Sequence, residues 1–231
     1  MKALLRSILL LVVVTALVSA LAAQDDDDEG FGEDSHLNTN LGFTVTAPLN
    51  PTAQLVNVGG GFVGGAGYNI NQHHAFVGEL MWNRLGAADA ALAPIRAALG
   101  TRDIDGHGDL FSLTGNYRFE LRGKTTGVYF IAGGGWYRRN ASLHTHVATG
   151  SSIGCTRTWV LWGFECSSGI VTSEQTVASY TADNLGVNGG VGVTFKVGEP
   201  RYRVYLEARY IYVPSKIIHT ELIPITFGIR F

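Results

Sequence analysis

The sequence predicts an all-β protein, specifically an eight-stranded antiparallel up-and-down transmembrane β-barrel. Three observations carry that expectation. From residue 37 onward, apolar residues alternate with small or polar ones in segment after segment, and a period of two is the mark of a strand with two unlike faces. The connections between these segments alternate between short and long, as periplasmic turns and outer loops do. Charged residues are only 16% of the chain, with 30 glycines and 10% aromatics, against about 25% charge in ordinary soluble domains. Beyond the N-terminal segment no apolar run approaches the about 20 residues that a spanning helix requires.

The first element is an export signal. Lys2 and Arg6 supply the positive end, Ile8 to Val18 the apolar core, and Ala20-Leu21-Ala22 the small residues at a cleavage site. Residues 1–23 are read as a removed signal peptide and excluded from the fold. Residues 24–36 form an acidic leader, with seven acids between positions 25 and 35 and almost nothing to bury. Self-repulsion and low hydrophobicity make such a run a disordered tail. It lacks the spacing of a calcium loop.

The barrel is assigned to 37–231. Leu37, Leu41, Phe43 and Val45 interleave with Asn38, Asn40, Gly42 and Thr44 to give the first strand. Phe62, Ala66, Tyr68 and Ile70 alternate with Val63, Gly65, Gly67 and Asn69. Phe76, Leu80 and Trp82 alternate with Val77, Glu79, Met81 and Asn83. Phe111, Leu113, Tyr117, Phe119 and Leu121 oppose Ser112, Thr114, Asn116, Arg118 and Glu120. The fifth segment, Val128 to Arg138, is apolar on both faces around Gly133-Gly134-Gly135. Leu185 to Val197, Tyr202 to Tyr212 and Ile223 to Phe231 complete the eight, each alternating cleanly.

The short connections are Asn71 to His74, Arg122 to Thr125 and Gly198 to Pro200. The long ones are Ala47 to Asn57, Arg84 to Gly108, Arg139 to Asp183 and Pro214 to Thr220. With eight strands both ends of the barrel then fall on the periplasmic side. A soluble sandwich also alternates, but its second face meets water and is rich in lysine, glutamate and threonine. Here that face carries glycine, asparagine, serine and a few charges of both signs, which suits a narrow enclosed lumen. Trp82, Trp136, Tyr212 and Phe231 stand near strand ends on the apolar face, as interfacial girdles do.

These residues give the chain a resemblance to the outer-membrane β-barrel domain family of small OmpA- and OmpX-like proteins, over roughly residues 36–231. It rests on Val58-Gly59-Gly60-Gly61-Phe62, Gly65-Ala66-Gly67-Tyr68-Asn69, Val77-Gly78-Glu79-Leu80, Ile131-Ala132-Gly133-Gly134-Gly135-Trp136 and the terminal Thr226-Phe227-Gly228-Ile229-Arg230-Phe231. The resemblance implies a location in the outer membrane of a Gram-negative-type bacterium after Sec export, surrounded by lipid and lipopolysaccharide. The ending Phe227, Ile229, Phe231 looks like the signal read by the barrel assembly machinery. Members include adhesins and stress-related surface proteins.

Glu79, Arg118, Glu120, Lys196, Arg203, Glu207, Arg209 and Arg230 all take the lumen parity. Charges in a narrow lumen must pair, because isolated burial is costly, so they are read as a salt-bridged plug, with a narrow small-solute channel as the alternative. The other alternative is a lipid-modifying enzyme. It would need a nucleophile, a base and an orienter side by side, and His107 with Asp109 and Ser112 is the best such grouping. His144-Thr145-His146 offers a weak metal pair with no third ligand identifiable.

Cys155 and Cys166 are the only cysteines, and in an exported chain a pair this close reads most simply as a disulfide, two free thiols being the alternative. They share the longest loop with Trp159, Trp162 and Phe164, aromatics suited to contact with an extracellular ligand or to packing of the loop itself. Ala87 to Leu99 has helical spacing, with Pro94 inside it as a point where a short helix can divide. The reading as a whole is a monomeric, non-enzymatic barrel with a structural or surface-interaction role, no catalytic residues, no cofactor, no metal and no nucleic-acid partner.

Overall fold

The alternation becomes closed geometry in the computed structural model, which describes residues 36–99, 104–123, 125–157, 164–197, 202–215 and 218–231. Eight strands follow in chain order: β1 (Leu37–Pro48), β2 (Val56–Asn69), β3 (His74–Ala87), β4 (Ile104–Arg122), β5 (Thr126–Arg157), β6 (Phe164–Lys196), β7 (Arg203–Val213) and β8 (Thr220–Arg230). Each pairs antiparallel with the next, and β8 returns to β1, closing the barrel. Closure leaves the transmembrane wall without an unpaired edge, the condition for a sheet to cross lipid. The signal and leader assignments, 1–23 and most of 24–36, lie outside the described residues.

Register aligns like side chains around the wall. Phe43 pairs with Phe62, Phe62 with Trp82, and Trp82 with Phe111, so a row of rings crosses four strands, with centroids 5.0 Å apart for Phe43–Phe62 and 6.2 Å for Phe62–Trp82. The outward face keeps its large apolar groups exposed: Phe43 is 65% accessible and Leu185 74%. In water that surface would aggregate; against acyl chains it is what a spanning strand requires.

The inward face is packed by complementing large residues with glycine. Tyr129 projects over Gly192, its register partner, where a Cβ would stand 2.3 Å from the ring. Tyr205 covers Gly42 and Gly228 in the same way. Gly42, Gly192 and Gly228 thus leave the space into which Tyr129 and Tyr205 fit.

Turn chemistry is local. Asn71 Oδ1 accepts the backbone N–H groups of His73 and His74, both at 2.9 Å, closing the β2–β3 turn, as asparagine commonly does. Pro224 lies inside β8 and has no N–H to give. The β7–β8 ladder accordingly skips from Ala208↔Ile225 to Ile211↔Leu222 without losing register.

Two expectations are corrected in the connections. The helix α1 (Asp89–Leu99) runs through Pro94 rather than dividing there. It is held by buried Leu92 and by Arg96, which bonds Asp89 at 3.0 Å and the Ile104 carbonyl at 3.0 Å. The segment expected to be a loop, 139–183, is strand over its described residues, 139–157 and 164–183. β5 and β6 stay paired from Thr126↔Phe195 to Arg157↔Phe164, with irregularities at Leu143/His144 and Ala148/Gly150. Outside the membrane neither face meets lipid, so the apolar alternation fades, while a run rich in threonine, serine, valine and isoleucine still favours pairing.

Candidate functional site

The lumen is built in two layers. Towards the outer end, Val63, Met81, Leu85, Leu110, Tyr137, Ile211, Val213 and Leu222 form one buried apolar cluster. The sequence placed Val63, Met81 and Ile211 on this face, but the reading of that face as glycine, polar and charged groups missed the cluster. Beneath it the lumen is polar. Thr44 and Thr46 hydroxyls both donate to Asn83 Oδ1, the latter at 3.0 Å.

The charges gather as two groups. In the upper one Arg209 bridges two carboxylates, with Nη1 2.7 Å from Glu79 Oε2 and Nη2 2.6 Å from Glu207 Oε1. Asn40 donates to Glu79 Oε1 at 2.9 Å, Asn116 to Glu79 Oε2 at 2.7 Å, and the Tyr129 hydroxyl to Glu207 Oε2 at 2.9 Å. In the lower group Glu120 is ringed by guanidinium groups: Arg230 at 3.1 Å, Arg122 at 3.3 Å and Arg118 at 3.6 Å. Thr194 donates to Glu120 Oε1 at 3.3 Å and receives Arg203 Nη1 at 3.5 Å. Arg230 also lies over the rings of Tyr129 and Tyr205, 4.7 and 5.4 Å from their centroids.

Seven of the eight expected lumen charges are therefore buried together. Lys196 is the exception. It has the right parity, but it is the last residue of β6, beyond Thr194, and its side chain is exposed. Arg122, Asn40, Asn116 and Tyr129 belong to the network and were not foreseen. The two-sided apolarity of 128–138 was the available signal for Tyr129.

A second constellation crowns the wall just beyond the aromatic row. Arg84 lies 5.5 Å over Trp82 and clasps Asp109 with bonds of 2.8 and 3.3 Å, tying β3 to β4. Arg138 lies 5.1 Å over Trp136 and clasps Asp183 at 2.9 and 3.2 Å, tying β5 to β6. His107 follows on the same face. Its Nε2 meets Ser142 Oγ at 3.1 Å and stands 3.8 Å from Asp109 Oδ2, and its ring stacks on His144 at 5.3 Å.

A serine, a histidine and an acid are thus adjacent, though the serine is Ser142 rather than Ser112, which points into the lumen and is buried. A relay needs the acid on one ring nitrogen and the hydroxyl on the other. Here one nitrogen faces both, and Arg84 already occupies the carboxylate. Among the described residues no group of three or more metal-ligating side chains gathers; the side chain of His146 lies outside them.

Phe227 and Ile229 on β8, and Phe231 just after it, are exposed on the outward side beside the closing seam with β1. Cys155 and Cys166 are ladder partners near the tip of the β5–β6 hairpin, in strands rather than in a loop. Trp159 and Trp162 lie outside the described residues, as does the side chain of Phe164.

Comparison with known families matches residues 9–231 to the model described as the outer membrane protein beta-barrel domain. No curated protein matches. Among solved structures, the chain is similar to Ail, the attachment invasion locus protein of Yersinia pestis, at 15% identity and TM-score 0.48, covering 84% of this chain and 97% of that one. It is similar to Neisserial surface protein A at 14% identity and TM-score 0.45, with 85% and 96% covered. For the N-terminal barrel of Pseudomonas aeruginosa OprF the values are 14%, 0.43, 86% and 100%.

Proposed function

The chain belongs to the outer membrane protein β-barrel domain family and is an outer-membrane protein; from that premise we propose that it is a sealed membrane anchor displaying a β-ribbon for contact with other proteins. The observation that carries this reading is the length of the β5–β6 ladder. From Arg138, at the aromatic row, to Arg157, strand β5 rises by roughly 60 Å at about 3.3 Å per residue. β4 accompanies β5 only as far as Ile104↔Thr145, and β7 pairs with β6 only from Val187 to Lys196. The backbone of β6 from Phe164 to Gly186 thus has a ladder partner on one side alone among the described residues.

An open edge is a template for an added strand, and soluble proteins blunt such edges with lysine or proline. Residues 164–186 contain no lysine, arginine or proline. A barrel wall gives this ribbon a rigid base, and main-chain pairing along the edge supplies affinity.

The apolar cluster over the paired charges supports a lumen that does not conduct. In planar bilayers the purified protein is expected to stay silent, whereas steady unitary currents would favour the channel reading. The misdirected Ser142–His107–Asp109 grouping supports a non-enzymatic role, and His107→Ala is expected to leave outer-leaflet lipid composition unchanged.

The direct test replaces residues 145–175 by a short turn and displays both forms on a non-adherent bacterium. The trimmed barrel is expected to insert normally and to lose adhesion to host cells or matrix. Equal adhesion by the trimmed form would refute the ribbon's role.

A further inference from the structure

We propose that the groove on the lipid-facing wall of β2–β5 holds one phospholipid of the phosphatidylethanolamine class from the periplasmic leaflet, with an acyl chain along the groove and the headgroup at His36 and His74. The proposal stands on the barrel wall alone, independently of the ribbon. Register sets Ala66 beside Gly78, Gly78 beside Gly115 and Gly115 beside Gly134, so one outward row crosses four strands with nothing larger than a methyl group. Three strand spacings of about 4.8 Å make that row roughly 14 Å long. A Cβ at Gly115 would meet nothing within 4 Å, and one at Gly78 only the Ala66 carbonyl oxygen at 3.8 Å. The space left is an open groove of about 720 Å³.

Its banks are large. Leu80 and Leu113, register partners, stand on the outer side, and Tyr68, Phe76 and Tyr117, aligned in the same way, on the periplasmic side. The groove lies between the aromatic row at Trp82 and the turn at Asn71, hence inside the hydrocarbon, and what covers it there is lipid. Burying apolar surface drives nothing inside hydrocarbon; packing contacts and polar anchors decide what stays bound. An acyl chain lying in the trough touches backbone that a row of leucines would mask.

The polar anchors at the periplasmic bank say which lipid. The His36 ring stacks on Tyr68 at 5.3 Å and the His74 ring on Tyr117 at 5.8 Å, at the strand ends where headgroups begin. His36 Nδ1 meets the Asn69 carbonyl at 3.3 Å. A carbonyl only accepts, so in the neutral ring Nδ1 carries the proton and Nε2 is an acceptor. An ammonium group satisfies it. His74 Nδ1 is bonded to the Tyr117 hydroxyl; with that hydroxyl as donor, Nε2–H is left for a phosphate oxygen. A donor and an acceptor on the same bank match a phosphodiester joined to a primary ammonium. Among the described residues, those lining the groove carry no charge, so nothing there selects an anionic headgroup instead.

The test is native mass spectrometry of the full barrel released from nanodiscs of equal parts phosphatidylethanolamine and phosphatidylglycerol. A species with one retained phosphatidylethanolamine is expected to dominate the lipid-bound population. Gly78→Leu with Gly115→Leu fills the groove from the lipid side and is expected to cut that species about tenfold. His36→Phe with His74→Phe keeps the ring stacking, and is expected to keep a bound lipid but abolish the headgroup preference. Ile225→Leu, on β8, is expected to change nothing. Heat-modifiable migration verifies folding of each variant. A wild type that retains no lipid, several lipids without a dominant single adduct, or either headgroup equally overturns the proposal without reference to any variant. Retention indifferent to the paired leucines, or a headgroup preference that survives loss of both imidazoles, overturns it as well.

Discussion

At the scale of single residues, the lumen is governed by pairing and by space. Arg209 is shared by Glu79 and Glu207. Arg209→Met leaves two buried carboxylates facing each other, a loss expected to cost about 3–5 kcal/mol in reversible urea unfolding. Adding Glu79→Gln and Glu207→Gln to that variant should recover most of it, because amides carry no charge to strand.

Space is tested by a pair of glycines. Gly192→Val drives a side chain into the Tyr129 ring and is expected to destabilise by about 1–3 kcal/mol. Gly115 lies on the lipid face in a shallow apolar groove with Gly78 and Ala132, where a Cβ meets nothing within 4 Å. Gly115→Ala should stay within about 0.5 kcal/mol of wild type. Parity told which residues face inward, and it placed Glu79, Arg118, Glu120 and Arg209 correctly. It could not tell depth along the strand. That is why Lys196 was misjudged, and why the separation of an apolar outer layer from a charged inner one went unseen.

At the scale of elements, sequence patterning reports contrast between environments. Strands that touch lipid on one side and the lumen on the other read unmistakably, and all eight were found. Beyond Arg138 and Asp183 the sequence of β5 and β6 no longer alternates cleanly, while their pairing continues. The same logic applies to Cys155 and Cys166. Their spacing suggested a crosslink, and their register now makes them partners across two strands. Directly opposed residues lie about 4.5–5.5 Å apart at Cα, within the span of a disulfide. Non-reducing peptide mapping of protein secreted through an oxidising compartment is therefore expected to recover 155 and 166 in one linked fragment. Alkylation of both thiols before reduction would show the tip to be uncrosslinked.

At the scale of the whole molecule, one asymmetry organises everything: the oily side of each strand faces outward and the polar or packed side faces a closed interior. The seam between β1 and β8 completes it, and there Ile225, Phe227 and Ile229 point to lipid while Thr226 and Arg230 point to the lumen. The most direct measurement is a scan of single fluorophore-labelled cysteines from 222 to 230, in a Cys155→Ser, Cys166→Ser background, reconstituted with brominated lipid. Quenching is predicted to rise at 223, 225, 227 and 229 and to fall at 222, 226 and 230. Uniform quenching, or quenching by a water-borne agent at the odd positions, would contradict a lipid-facing wall around an enclosed core.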